Sequence, residues 1–329
     1  MLIATILSLT PSFFHKFIRK MMGATIGKGV KIKFGSIIRS KKIIIGDKTT
    51  IGPFCYVSAA ELSIGKHTQI KMLSIVSSRI VILGDYVHIS PLSVISSDHT
   101  QQSFFKVGNH SRFFPFCWIE PGEGVEIGNN VGIGGHTLIF THGVWPDFID
   151  GGPIAYGPVK IEDNVWLPWR VFIMPNVTIG KNTIIGADST VNKTIPENVI
   201  AAGSPAKIVK SPSKQVLSLE EKSERTQQIL IAFTKEINFS LGTSFEINGQ
   251  KLNYNTNSIL IDSTDNLNKG DLVFFVNKTV SQIELENLKS KEVSYLIHAD
   301  KTAILFGKDS VHQNFINYLR KYGIRLTIN

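Results

Sequence analysis

"VKIEDNVWLPWRVFIMPNVTIGKNTIIGADSTV" (159–191) carries an aliphatic residue at every sixth position: Ile161, Leu167, Ile173, Ile179, Ile185 and Val191. Six is neither the period of a helix nor the two-residue alternation of a half-buried strand. A six-residue unit holds one short strand and a tight turn, about 20 Å of chain at roughly 3.3 Å per residue. With the aliphatic side chain turned inward, three such sides close a triangular coil, and stacked coils bury a continuous ladder. The β-branched residues suit that two-neighbour surface. The Gly that often follows, as in "IGK" and "IGA", is expected to permit the sharp corner.

The same beat runs upstream through Ile26, Ile32 and Ile38, then Ile45, Ile51 and Val57, then Ile64, Ile70 and Val76, then Leu83, Ile89 and Ile95. The starts at 26, 45, 64 and 83 are three sixes plus one spare residue apart. It resumes at Val107, Phe113 and Ile119, and again at Ile127, Ile133 and Ile139. Two gaps interrupt it. "SSDHTQQSFFK" (96–106) carries Asp98 and His99, and the longer break from Phe140 to Lys160 holds His142, Asp147 and Asp150. Insertions into a solenoid form loops on its outside, where binding residues gather.

A chain of 329 residues is long for one domain and comfortable for two. Its 43% apolar content describes a globular protein with a sizeable core. Cys55 and Cys117 form no metal or disulfide pattern, which points to a reducing, cytoplasmic setting. No apolar run approaches the roughly 18–20 residues of a spanning helix. "MLIATILSL" (1–9) lacks the basic start and small-residue cleavage site of a signal peptide.

The net charge of +9 is concentrated at one end. Residues 1–48 hold ten Lys and Arg against Asp47 alone, whereas the remainder is close to balanced. Such a local basic end suits an anionic surface better than a long nucleic-acid groove. No nucleic-acid recognition motif appears.

"TPSFFHKFIRKMM" (10–22) reads as a short helix with Thr10 as N-cap and Pro11 in the first turn. Phe13, Phe14, Phe17, Ile18 and Met21 make one apolar stripe, with Lys16, Arg19 and Lys20 facing away. Two roles fit: a lid over the open end of the solenoid, or an interfacial helix on the inner leaflet of a membrane. After "SPSK" (211–214) the beat is gone. A helix over 218–237 precedes strands at 257–262, 271–276, 293–298, 302–307 and 324–328, with a helix over 310–322. The expected organisation is therefore a capping segment (1–23), a β-solenoid (24–210) and a small α/β domain (215–329). That last domain shows no phosphate loop, metal spacing or nucleophile motif.

Over residues 24–210 the pattern resembles the hexapeptide-repeat acyltransferases. The most specific part is 159–210, which ends in "IPENVIAAGSPA" (195–206) and is similar to the closing coils of the sugar O-acetyltransferases. The resemblance implies a mainly β fold, a left-handed parallel β-helix, assembled as a homotrimer with acetyl-CoA between neighbouring helices. It implies a histidine general base opening the long loop, and His142 matches by position. A neutral imidazole suits proton removal from a hydroxyl near pH 7. The same resemblance places the coenzyme at Trp169, Ala187, Asn192, Lys193 and Lys207, where the lysines would meet its phosphates. Trp166 matches a tryptophan beside the acetyl site. Trp169 and Pro168 depart from the small residue and the Gly usual at their positions. Asp147 and Asp150 are candidates to orient His142 or to bind acceptor hydroxyls. His136 occupies a turn position and reads as a corner residue.

The activity implied is transfer of an acetyl group from acetyl-CoA to a hydroxyl of a sugar or surface polysaccharide unit, by direct attack in a ternary complex. Three alternatives stand beside it. The acceptor could be an amino sugar, giving N-acetylation. The solenoid could be a non-catalytic scaffold docked on an anionic membrane. A zinc hydratase could use His99, His136 and His142, but the spacing of the last two is one residue too long and no metal is expected.

Overall fold

The computed structural model describes residues 2–254, 257–264, 267–278, 280–300, 302–307 and 309–328. The chain forms two compact units, residues 1–215 and 216–329. In the first, every beat residue lies on one of three parallel sheets. The first face runs from Thr25–Ile26 to Thr178–Ile179 and the third from Ile37–Arg39 to Thr190–Val191. The second runs from Lys31–Ile32 to Ile200–Ala202 and closes on the antiparallel strand Lys207–Lys210.

Most strands are only two to four residues long, so each contributes one or two inward side chains. Stacking makes them a single core: Ile38, Ile51, Ile70, Ile89, Ile133, Ile173 and Val191 are fully buried. Each such side chain adds roughly 1.5–3 kcal/mol of apolar burial, which no single coil could collect alone.

The glycine after the beat residue does not make the turn. Gly27, Gly46, Gly65, Gly84, Gly108 and Gly128 have no positive φ. They are small because the coils touch there: a Cβ on Gly108 would lie 2.6 Å from Gly128 C and 2.7 Å from Asn129 N. Beyond the first coil, whose left-handed corners are Gly29 and Gly35, these corner positions are held by residues with side chains. Between the first and second faces these include His67, Tyr86, His110, Asn130, Asn164, Asn182 and Asn198. Left-handed backbone disfavours bulky residues, and here the stacked corners compensate. Tyr86 lies between His67 and His110 at 4.8 Å from each ring. The asparagines form an amide ladder, Asn130 to Asn164 (2.8 Å), Asn164 to Asn182 (3.1 Å) and Asn182 to Asn198 (3.0 Å).

Extra length collects at one edge, where the third face passes to the first. Ile26 pairs with Ile45 nineteen residues on, Leu83 with Val107 twenty-four on, and Ile127 with Ile161 thirty-four on. The spare residue of the early coils, the extrusion after Ser96 and the long loop all leave from this corner. The long loop is not irregular throughout, because His142–Val144 and Ile154–Tyr156 form an antiparallel hairpin.

The N-terminal segment holds a helix and an N-cap position that the sequence reading did not give. A first helix, α1 (Leu2–Ser8), precedes α2 (Ser12–Met21), whose N-cap position is Pro11. Thr10 instead returns its hydroxyl to the Leu7 carbonyl at 2.7 Å. Moreover, α2 faces the solenoid with its polar side. His15 and Arg19 are buried, while Phe13, Phe17 and Met21 are exposed. Burial and the adjacent Arg19 push the His15 imidazole down to about 4.

The second unit is a seven-stranded sheet in sequence order, with Asn257–Ile261, Leu272–Phe275 and Ser294–Ile297 parallel at its centre. Helices α3 (Leu219–Leu241), α4 (Gln282–Ser290) and α5 (Ser310–Leu319) accompany it. The expected strands and two helices are present. The hairpin Glu246–Asn248/Lys251–Tyr254 and α4 add to them.

Candidate active site

His142 begins the hairpin at the third-to-first corner, directly after the strand Leu138–Phe140. That strand pairs with Trp118–Glu120 of the preceding coil, with Glu120 opposite Phe140. The register delivers the Glu120 carboxylate to the corner where His142 leaves the solenoid. His142 Nδ1 lies 2.8 Å from Glu120 Oε2. The carboxylate is itself fixed: Oε1 accepts the Gly122 N–H at 2.9 Å, and Oε2 lies 2.8 Å from the Thr141 hydroxyl. Thr141 in turn accepts the Glu123 N–H at 3.0 Å. The Glu120 side chain is only 14% exposed, whereas that of His142 is 44% exposed. The arrangement is thus a shielded carboxylate behind an accessible imidazole.

This geometry assigns the tautomer. An acceptor on Nδ1 keeps the proton there and leaves the lone pair on Nε2. The Tyr156 ring, opposite His142 in the hairpin, stacks at 6.2 Å and 24° and limits the swing of the imidazole. The result is an oriented imidazole with its second nitrogen away from the carboxylate, an arrangement of the kind a general base requires.

Glu120 was not among the residues read from the sequence. The signal was present but required register: Glu120 stands one coil before His142, after a beat residue, Ile119. Of the two roles open to Asp147 and Asp150, orienting His142 falls to Glu120. Asp147 accepts the Ile149 N–H at 2.8 Å within its own loop, and both are exposed.

The other predicted residues fall into three groups. Trp166 and Trp169 lie on the second face and its corner with the third. Glycines below make room for them: a Cβ on Gly132 would meet Trp166 at 2.4 Å, and one on Gly135 would meet Trp169 at 2.0 Å. Phe114 lies 6.1 Å from both indoles. Ala187 shares the Trp169 corner one coil on, where Asp188 N–H donates to the Trp169 carbonyl. Asn192 and Lys193 sit on the same corner as His142, two coils beyond it. Lys207 opens the closing antiparallel strand. The last four are exposed. One chain therefore brings Asn192 and Lys193 to the edge used by His142, but leaves Trp166, Trp169 and Ala187 elsewhere on the prism.

The histidines of the zinc reading do not converge. His136 has φ 58° and stacks on Phe116 at 4.9 Å, as a corner residue. His99 Nε2 lies 3.1 Å from Ser77 Oγ. Among the described residues no group of three or more His, Cys, Asp or Glu could hold a metal ion.

Comparison with known proteins places this architecture. The family model described as bacterial transferase hexapeptide (six repeats) matches residues 158–193. The solenoid is a left-handed β-helix of the hexapeptide-repeat type. The chain is 45% identical over 86 residues to a galactoside O-acetyltransferase of Lactococcus lactis, covering 26% of this chain and 42% of that protein. The galactoside O-acetyltransferase of Escherichia coli is 44% identical over 88 residues, covering 26% and 43%. The chain thus spans less than half the length of these curated relatives. Among solved structures, the polysialic acid O-acetyltransferase OatWY is 21% identical with a TM-score of 0.38, over 60% of this chain and 92% of that one.

Proposed function

We propose that this hexapeptide-repeat protein is an acetyl-CoA-dependent O-acetyltransferase whose acceptor is a hydroxyl of a sugar or surface polysaccharide unit. The carrying observation is the 2.8 Å bond from His142 to a shielded, doubly anchored Glu120. The likeness to galactoside O-acetyltransferases over 86 and 88 residues supports the choice of donor and acceptor class.

The residues present fit such a donor. Lys193 and Lys207 offer exposed cations for its phosphates, and two indoles lie over glycine-cleared coils. When bound, acetyl-CoA supplies the thioester carbonyl that the acceptor oxygen attacks and departs as the thiol. His142 Nε2 takes the proton from the attacking hydroxyl, so that oxygen adds as an effective alkoxide. Glu120 stabilises the imidazolium that forms and holds its plane. The same Nε2–H then returns the proton to the departing sulfur, leaving the base ready for another cycle. No acyl-enzyme is required, because His142 acts on the acceptor rather than on the acyl carbon.

The split between the His142 corner and the tryptophan corner supports a homotrimer, in which the two edges of neighbouring copies face one another. The hairpin loop presents Trp145, Phe148 and Ile149 to solvent, 96%, 65% and 93% exposed. A neighbouring solenoid would cover them.

Labelled acetyl-CoA offered with a panel of free sugars, nucleotide sugars, lipid-linked sugars and amino sugars tests the reading. Transfer to hydroxyl acceptors, abolished in His142→Ala with coenzyme binding retained, is the expected result. Wild-type turnover in that variant would sink the mechanism, and transfer only to amines would move the activity to N-acetylation. Absence of coenzyme A binding by calorimetry would favour a non-catalytic scaffold.

A further inference from the structure

The open end of the β-helix is covered by the polar side of α2. The first coil has no coil before it, so its outward backbone groups need other partners. Ser12 Oγ accepts the Ile32 N–H at 3.0 Å, and Lys16 Nζ donates to the Val30 carbonyl at 2.9 Å. Arg19 donates to the Ile38 carbonyl and, at 2.9 Å, to His15 Nε2. With α1, whose Ser8 carbonyl accepts the Gly35 N–H at 2.8 Å, these bonds cap the first coil without using Phe13, Phe17 or Met21. A helix serving only as a lid would bury its apolar side. Here Phe13, Phe17 and Met21 are 70%, 60% and 75% exposed, with Ile6, Leu9 and Phe14 beside them in sequence and also exposed.

The second observation is charge. Lys16 and Arg19 are engaged in the cap, but Lys20, Lys28, Lys31, Lys33, Arg39, Lys41, Lys42 and Lys48 are all exposed on α2 and the first two coils. The single acid of this end, Asp47, has a carboxylate oxygen accepting the Lys28 N–H at 2.7 Å. Lys42 meets Glu61 of the next coil at 4.0 Å, which leaves the end with a large excess of exposed cations. An outward aromatic stripe together with such an excess is the composition of an interfacial membrane contact.

We infer that the N-terminal end of the solenoid docks on an anionic lipid bilayer. Phe13, Phe17 and Met21 enter the headgroup boundary, and the lysines of the first coils lie over the acidic headgroups. Among the described residues no helix is long and apolar enough to span, so the contact is peripheral. A second copy is a poorer occupant, because two such ends would set like charges against each other.

Co-sedimentation of the full chain with vesicles tests this independently of any transferase activity. Binding is expected to phosphatidylcholine vesicles containing phosphatidylglycerol, not to pure phosphatidylcholine, and to weaken as salt rises. The double variant Phe13→Ser/Phe17→Ser and the charge variant Lys28→Glu/Lys33→Glu should each lower partitioning about tenfold or more. Both alter exposed side chains, so thermal melting should stay close to wild type. Failure of the wild type to bind anionic vesicles would overturn the proposal. So would equal binding by wild type and either variant. A loss of oligomers in the Phe double variant without loss of vesicle binding would assign the stripe to contacts between copies and likewise overturn it.

Discussion

His142 Nδ1 and Glu120 Oε2 stand 2.8 Å apart across two successive coils, so the orientation of the base depends on the stacking register of the solenoid. Glu120→Gln preserves shape but can present an N–H to the ring and stabilise the wrong tautomer. Turnover should fall by about 10²- to 10⁴-fold, with the KM for acetyl-CoA and the oligomeric state unchanged. Steady-state kinetics on the variant check this. A rise in KM with kcat retained would mean that Glu120 binds substrate and does not position His142.

Gly108 and Gly143 should respond oppositely to the same change. An added Cβ at Gly108 meets backbone atoms of the next coil at 2.6–2.7 Å, whereas nothing lies within 4 Å of one at Gly143. Gly108→Ala should cost about 2 kcal/mol or more, since the backbone contact cannot move aside. Gly143→Ala should stay within about 0.5 kcal/mol. Chemical denaturation of both variants measures the difference, and similar midpoints would count against the close-approach account of these glycines.

The N-terminal cap should loosen in acid. Burial and Arg19 lower the His15 imidazole from about 6.5 to about 4, so the folded state favours the neutral ring. The unfolded chain binds the proton more readily in this window, and stability therefore falls as pH drops from about 6.5 towards 4. His15→Gln keeps a side-chain acceptor near Arg19 but does not titrate. Its melting temperature should vary less with pH over that window than that of the wild type. Parallel curves for the two proteins would remove His15 from the acid response.

Much of this fold was legible because a six-residue beat admits few architectures. Ile161, Leu167 and Ile173 already define three faces, and each is fully buried. The corners were misread because periodicity reports which residues point inward, not which backbone positions are left-handed. Hence the glycines were credited with turns that Asn164 and Asn182 make, although His136 was already read as a corner. In α2 the stripe was placed but its direction was left open between a lid and an outward contact, since amphipathicity cannot say which side a polar solenoid end prefers. At the candidate site, the break in rhythm singled out His142 and the family resemblance proposed its role. Glu120 was not found, because it lies in another coil, brought close only by the pairing of Trp118–Glu120 with Leu138–Phe140. In the second unit the turn at Asn248–Gly249 marks a hairpin that was passed over, although Leu252 and Tyr254 alternate with polar residues and are buried; its strands are only three and four residues long.

Lys193 shares the corner of His142 and is exposed, as expected of a residue meeting a phosphate rather than forming part of the fold. Lys193→Glu should weaken coenzyme binding while leaving kcat at saturation close to wild type. An exposed ionic contact contributes roughly 1 kcal/mol, about fivefold in affinity, and charge reversal should exceed that. The discriminating measurement compares coenzyme A with its 3′-dephospho form by calorimetry. If Lys193 faces the 3′-phosphate, the wild type should prefer coenzyme A and the variant should lose that preference. If it faces the pyrophosphate, both ligands should weaken in parallel. Unchanged affinity for both would remove Lys193 from the coenzyme site and leave Lys207, on the closing strand, as the cation to test by the same comparison.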